Sequence, residues 1–203
     1  MSKYFKKINQ IKFEGKESNN PLSFKYYDEN KIVFGKTMKE NLRFATCYWH
    51  TFTWPGLDPF GGATFERPWM IKGDPVEKAE EKLEEAFDFF EKITTPFFCF
   101  HDRDISPEGA SYSETQKNFF HIIDLMEKKL SKSNVKLLWG TANAFSHRRY
   151  MAGASTNPDP EVFAYEAAQV KDCMEATMRL EGQNYVLWGG REGYETILNT
   201  NMK

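Results

Sequence analysis

The sequence is 203 residues long, 40% hydrophobic and 28% charged, enough for one domain with a buried core and far from the composition of a disordered chain. Its 27 basic and 29 acidic residues are interspersed and sum to −2, which leaves no electrostatic footprint for nucleic acid or for an anionic membrane surface. No stretch approaches the ~18 apolar residues of a membrane span, and the Lys-rich residues 1–10 hold no apolar run of signal-peptide type, so a cytoplasmic protein is expected.

Residues 1–43 are polar, with scattered aromatics (Phe13, Phe24, Tyr26, Tyr27, Phe34) and no clean period, and are read as an arm packed on a body. A repeating pattern occupies residues 44–203. It begins with a β-prone run, Phe44 to Trp49, that stops at a Gly/Pro-rich loop from Thr53 to Gly73. Asp74-Pro75 then supplies an N-cap and a proline at the first helical position. Val76, Ala79, Leu83, Ala86, Phe87, Phe90 and Ile93 keep helical spacing, so a helix of about 20 residues is predicted.

A second unit follows: a strand Phe97 to Phe100, then a helix opened by a capping box at Ser113-x-x-Gln116 and carried by Phe119, Ile122, Ile123, Met126 and Leu130. A third strand, Lys136 to Trp139, precedes a helix opened by Asn157-Pro158-Asp159-Pro160, with Phe163, Ala167, Val170, Met174 and Thr177 on one face. Tyr185 to Trp188 reads as a fourth strand. Cys47, Cys99 and Cys173 lie far apart without CxxC or zinc spacing and read as buried apolar thiols of a reducing compartment.

Mostly apolar strands alternating with long amphipathic helices indicate an α/β chain of parallel βα units. Four such units make half of an eight-stranded, TIM-type barrel. Such a half barrel has bare edges, so self-association into a homo-oligomer, a symmetric dimer or a pair of dimers, is expected.

In βα barrels chemistry sits where the strands end. The residues there are Trp49-His50-Thr51-Phe52, His101-Asp102-Arg103-Asp104, Thr141-Ala142-Asn143-Ala144-Phe145-Ser146-His147 and Trp188-Gly189-Gly190-Arg191-Glu192-Gly193-Tyr194-Glu195. A carboxylate three residues after a histidine can accept one ring N–H, fix the tautomer and raise the basicity of the other nitrogen. His50 sits beside Trp49 at a strand tip and is a candidate to line a pocket. His121 lies within a helix, and His147 is flanked by Arg148 and Arg149.

Tyr48-Trp49-His50-Thr51-Phe52, Phe100-His101-Asp102-Arg103-Asp104, Gly140-Thr141-Ala142-Asn143-x-Phe145 and Trp188 to Glu195 resemble, in order and spacing, the successive signatures of bacterial xylose isomerases. Lys12-Phe13-Glu14-Gly15 and Asn157 to Glu161 extend the likeness over nearly the whole chain, which resembles the N-terminal half of the class with the longer N-terminal arm. The resemblance implies that His101, oriented by Asp104, meets the ring oxygen or anomeric hydroxyl of a pyranose and assists ring opening. It also implies an apolar wall of Trp49, Phe145 and Trp188 for the sugar, and a Phe60, within Asp58-Pro59-Phe60-Gly61, that reaches into a neighbouring subunit's pocket. Thr141, Asn143 and Glu195 complete the expected sugar contacts, and Glu192 is expected to be catalytic with His101 and Asp104.

Members of that family are roughly twice as long, and the resemblance places the ligands of their two divalent metals in the second half. Asp102 and Asp104 flank Arg103, and Glu192 follows Arg191, so local positive charge compensates these carboxylates and no metal or other cofactor is expected here. Moving a hydride between C1 and C2 needs Lewis-acid metals on the sugar oxygens.

Three functional readings follow, each with a small sugar or glycoside as the ligand. The leading expectation is metal-independent acid–base chemistry, such as β-glucoside hydrolysis in an assembled barrel, which needs two carboxyl groups about 5–5.5 Å or 6.5–9.5 Å apart. The alternatives are a xylose isomerase half that needs a complementary chain, and a sugar-binding remnant without catalysis.

Overall fold

In the computed structural model, which describes residues 2–192, the polar arm ends in a two-residue hairpin, β1 (Ile32–Val33) with β2 (Lys36–Thr37). Phe34 and Gly35 turn it at φ 52° and 77°. Thr37 then caps one helical turn, α1 (Met38–Asn41): its hydroxyl accepts from the Glu40 amide, and Glu40 accepts from the Thr37 amide.

Beyond the arm, β3 (Ala45–Cys47), β4 (Phe97–His101), β5 (Lys136–Thr141) and β6 (Asn184–Tyr185) form one parallel sheet in sequence order. Register pairs Ala45 with Phe97, Phe97 with Lys136, and Trp139 with Asn184, with one irregularity between Phe98 and Cys99. The crossovers are helical: α2 (Pro75–Ile93), then a one-turn α3 (Asp102–Ile105) and α4 (Tyr112–Leu130), then α5 (Pro160–Arg179). This is four βα units, half of a barrel, and the sheet is open: among the described residues β3 pairs only with β4, and β6 only with β5.

Helical periodicity buries the expected face of α2. Ala79, Leu83, Ala86, Phe87 and Phe90 lie against the sheet, and the Phe90 ring stacks on Phe98 at 5.2 Å. Phe119, Ile122, Ile123 and Met126 do the same from α4. Each of the Leu, Ile, Phe and Met side chains contributes about 1.5–3 kcal/mol by leaving water. Helix α5 comes close to β5 at Gly140, where an added Cβ would collide with the Thr177 hydroxyl and crowd the Phe100 ring. The start of the arm is tied down as well. Ser2 Oγ donates to Glu85 at 2.8 Å, the amides of Lys3 and Tyr4 donate to the same buried carboxylate, and Phe5 packs on Phe89 at 5.4 Å.

Several local expectations change. The first strand is shorter than predicted, because the chain turns at Tyr48 into a single π-helical turn, Trp49–Thr53. Helix α4 is capped by Ser111, whose hydroxyl accepts from the Glu114 amide, and not by a box at Ser113 and Gln116. Gln116 instead donates to Asp172 at 2.8 Å.

The inward face of α5 is only partly the stripe read from the sequence: Thr177 is buried and Val170 packs on the core, but the rest differs. Phe163 is 50% and Met174 45% exposed, whereas Gln169, Asp172, Cys173, Ala176 and Thr177 are buried. Polar residues take that face because partners meet them: the Tyr112 hydroxyl donates to Asp172 at 2.6 Å, and the Tyr150 hydroxyl to Gln169 at 2.5 Å. The fourth strand covers only Asn184–Tyr185, and Leu187 and Trp188 are exposed. Cys99 and Cys173 are buried, but Cys47 is only partly so. Among the described residues no helix is long and apolar enough to cross a membrane.

Candidate active site

Residues at the C-terminal ends of β3 and β5 meet at His101, the last residue of β4. Its Nδ1 lies 2.7 Å from Asp104 Oδ2, and the same oxygen accepts the His101 backbone N–H at 3.0 Å. The sequence dictates this locally, because α3 starts immediately after the strand and places residue 104 back over residue 101 as a capping box. An ionised carboxylate can only accept, so the ring proton sits on Nδ1 and the Nε2 lone pair is left for a ligand.

Aromatic rings frame that imidazole. The Trp49 centroid lies 4.6 Å from it, Phe145 5.4 Å and Trp139 6.4 Å, while Trp49 and Trp139 are 5.6 Å apart. Trp188 continues the wall, 6.3 Å from Phe145. Trp49 and Phe145, from two different strand ends, thus both meet the His101 ring, and Trp188, from a third, adjoins Phe145. Trp139, read from the sequence only as the last residue of the third strand, joins them. The missed signal is its place two residues before Thr141, near the C-terminal end of β5.

A second carboxylate anchors the wall. Asp102 is 2% exposed, and its Oδ1 accepts the amides of Arg103 and Asn143, both at 2.8 Å. Its Oδ2 accepts Gln169 Nε2 at 2.8 Å, and Gln169 also donates to the Asn143 carbonyl at 3.1 Å. Burial pushes the Asp102 carboxyl up, opposed by the Arg103 charge and by these N–H donors.

The Asn143 side chain, expected to bind sugar, is hydrogen-bonded within its own turn. Its Oδ1 accepts the amides of Phe145 and Ser146, and its Nδ2 donates to Ser146 Oγ, so the side chain builds the turn that presents Phe145. Thr141 is likewise committed: it is buried, and its hydroxyl donates to the Val186 carbonyl, tying β5 to the segment after β6.

The remaining candidates are spread out. His50 is exposed and sits between Trp49 and Trp54, at 5.6 and 5.7 Å. Phe60 is 97% exposed at the tip of its loop. Glu192 accepts the amides of Ser155 and Thr156 at 3.2 and 3.1 Å and the Thr156 hydroxyl at 3.0 Å. Burial would raise the carboxyl, yet these donors outweigh it and hold the group below its ordinary range. A proton-donating catalytic acid needs the opposite shift. Glu192, expected to be catalytic, here anchors the loop at Ser155 and Thr156, and Glu195 lies outside the described residues.

Behind Asp104 lie two residues that sequence reasoning passed over. Lys82 is 5% exposed, and Tyr48 is fully buried with its hydroxyl unpartnered among the described residues. Lys82 sits three residues after Ala79 and four before Ala86, on the apolar face of α2, which is the signal that could have found it.

As to metals, no group of three or more His, Cys, Asp or Glu among the described residues could hold an ion. The carboxylates of Asp102, Asp104 and Glu192 are already engaged by hydrogen-bond donors of the protein.

No family model matches the chain. It is 58% identical over 203 residues to a protein named xylose isomerase from Photobacterium profundum, covering 100% of this chain and 46% of that protein. It is also 58% identical over 202 residues to the xylose isomerase of Roseobacter denitrificans and over 200 residues to that of Allorhizobium ampelinum, again 46% of each. The chain spans about half the length of the curated relatives it matches, namely their N-terminal half.

Proposed function

We propose that this chain, the counterpart of the N-terminal half of xylose isomerases, supplies the sugar-holding and proton-transferring half of an aldose–ketose isomerase site. The observation that carries the proposal is the His101–Asp104 pair set between the Trp49 and Phe145 rings at the strand ends.

The chemistry assigned to these residues is opening of a cyclic aldose. The anomeric hydroxyl gives its proton to His101 Nε2, its electron pair forms the C1 carbonyl, and the bond from C1 to the ring oxygen breaks. The ring oxygen leaves with that electron pair and takes a proton, which the imidazolium can return. Asp104 stabilises the charge that the imidazole gains for that interval. The flat faces of Trp49 and Trp188 suit the C–H surface of a pyranose and keep water from the reacting atoms.

Glycoside hydrolysis, the leading expectation from the sequence, finds less support. It needs a protonated acid and a free carboxylate beside the anomeric carbon. Asp104 is committed to His101, Asp102 to three N–H donors, and Glu192 to the 155–156 amides. The relatives carry the name of an isomerase.

Xylose titration followed by NMR on the indole N–H signals and the His101 ring tests the proposal. Saturable shifts of Trp49, Trp188 and His101 are expected, with none for glycerol at the same concentration. Shifts confined to residues away from these rings would sink it.

A further inference from the structure

The Asp104 carboxylate that orients His101 has a buried cation behind it. Lys82 projects from α2 into the core, and its Nζ donates to Thr53 Oγ1 at 3.4 Å. Thr53 in turn donates to the Asp104 backbone carbonyl at 3.2 Å. A relay of three links thus runs from α2 through the π-helical turn to α3 and the catalytic imidazole.

A lysine on the packed face of an amphipathic helix is costly unless something there uses its charge. Nothing in the core requires it: its neighbours along the face are Ala79, Leu83 and Ala86, and it forms no ion pair among the described residues. The charge that faces it is Asp104, and that carboxylate also acts on the buried Tyr48 hydroxyl.

We propose that Lys82 is a positioning residue for His101: its ammonium, seated behind Asp104 and joined to it through Thr53, offsets the carboxylate charge that the imidazole meets. The proposal rests on the reading of His101 as the acid–base group. Without the cation, Asp104 would bind the imidazolium more tightly and hold the ring protonated, unable to accept a hydroxyl proton. With it, the pair keeps its geometry while Nε2 can accept a proton. Burial lowers the lysine to about 8 against the opposing pull of Asp104, so its charge is present at neutral pH and lost a little above.

The test is the titration of the His101 ring, followed by NMR in the full 203-residue chain, with the signal assigned by its loss in His101→Asn. In Lys82→Met the midpoint of ring protonation is expected to rise by about one pH unit, and in Lys82→Arg to return toward the unmodified value. The unmodified chain supplies a second readout that needs no variant to fold: its His101 signals should show a further inflection near about pH 8, where Lys82 discharges.

A Lys82→Met midpoint within about 0.2 pH unit of the unmodified chain, or a single-inflection curve between about pH 7 and 9, overturns the proposal. Both readouts are taken without sugar. Failure of isomerase activity would therefore count against the function proposed above and leave this result standing.

Discussion

Asp104 holds His101 through a single oxygen: Oδ2 is 2.7 Å from the ring Nδ1 and 3.0 Å from the backbone nitrogen of the same residue. The carboxylate fixes both the direction of the ring and the position of its proton. Asp104→Asn keeps the size but lets an amide N–H face Nδ1, which moves the ring proton to Nε2. A loss of about 10²–10⁴-fold in sugar turnover is expected in an assembled enzyme, with little change in stability. Nitrogen chemical shifts of the imidazole check the tautomer, and an unchanged tautomer would refute this account of the pair.

Asp102 anchors the turn that carries Phe145, by accepting the Asn143 amide and the Gln169 amide nitrogen. Asp102→Ala leaves those buried donors unpaired and should cost about 3 kcal/mol, measured by urea unfolding. A loss below about 1 kcal/mol would mean that the network is not what holds the turn.

Lys82 makes stability depend on pH in a defined direction. Its folded pKa is about 8, depressed by burial, while an unfolded lysine titrates near about 10.4. Between those values the unfolded chain binds more protons than the folded one, so this residue makes stability rise with pH across that window. At pH 7 its charge costs the fold about 3 kcal/mol. Lys82→Met is expected to be more stable than the parent at pH 7, with the difference shrinking toward about pH 10. Subtracting the two curves removes the opposing contribution of Cys99, whose thiol burial raises to about 12.

Gly140 lets α5 approach β5, and a methyl group there meets the Thr177 hydroxyl and the Phe100 ring. Gly140→Ala should destabilise by about 1–3 kcal/mol through overpacking, seen as a lower urea midpoint. A neutral result would show that the helix can move away from the strand.

Much of this architecture is legible in the sequence because local chemistry and global fold agree. Asp74-Pro75 and Asp159-Pro160 cap their helices as written, and His101 and Asp104 meet because a helix follows a strand without a loop. The inward face of α5 is misread because distant partners satisfy its buried polar groups. Gln169 and Asp172 turn the polar face of α5 inward only because Tyr150, Tyr112 and Gln116 await them. Thr141 and Asn143, expected as ligand contacts, also hydrogen-bond within the protein, to Val186, Phe145 and Ser146. Lys82 is invisible to a search for apolar periodicity, because its use depends on a carboxylate 22 positions further along the chain.

The most direct test of the central claim is complementation. The 203-residue chain is mixed or co-expressed with the C-terminal half of the Photobacterium profundum relative, supplied with divalent metal, and xylulose formation from xylose is measured. Xylulose should form only when both pieces are present, and His101→Asn should lower the rate by about 10²–10⁴-fold. Activity unaffected by His101→Asn, or none in a complex shown by light scattering to have assembled, would contradict the assignment of a sugar-holding, proton-transferring half-site.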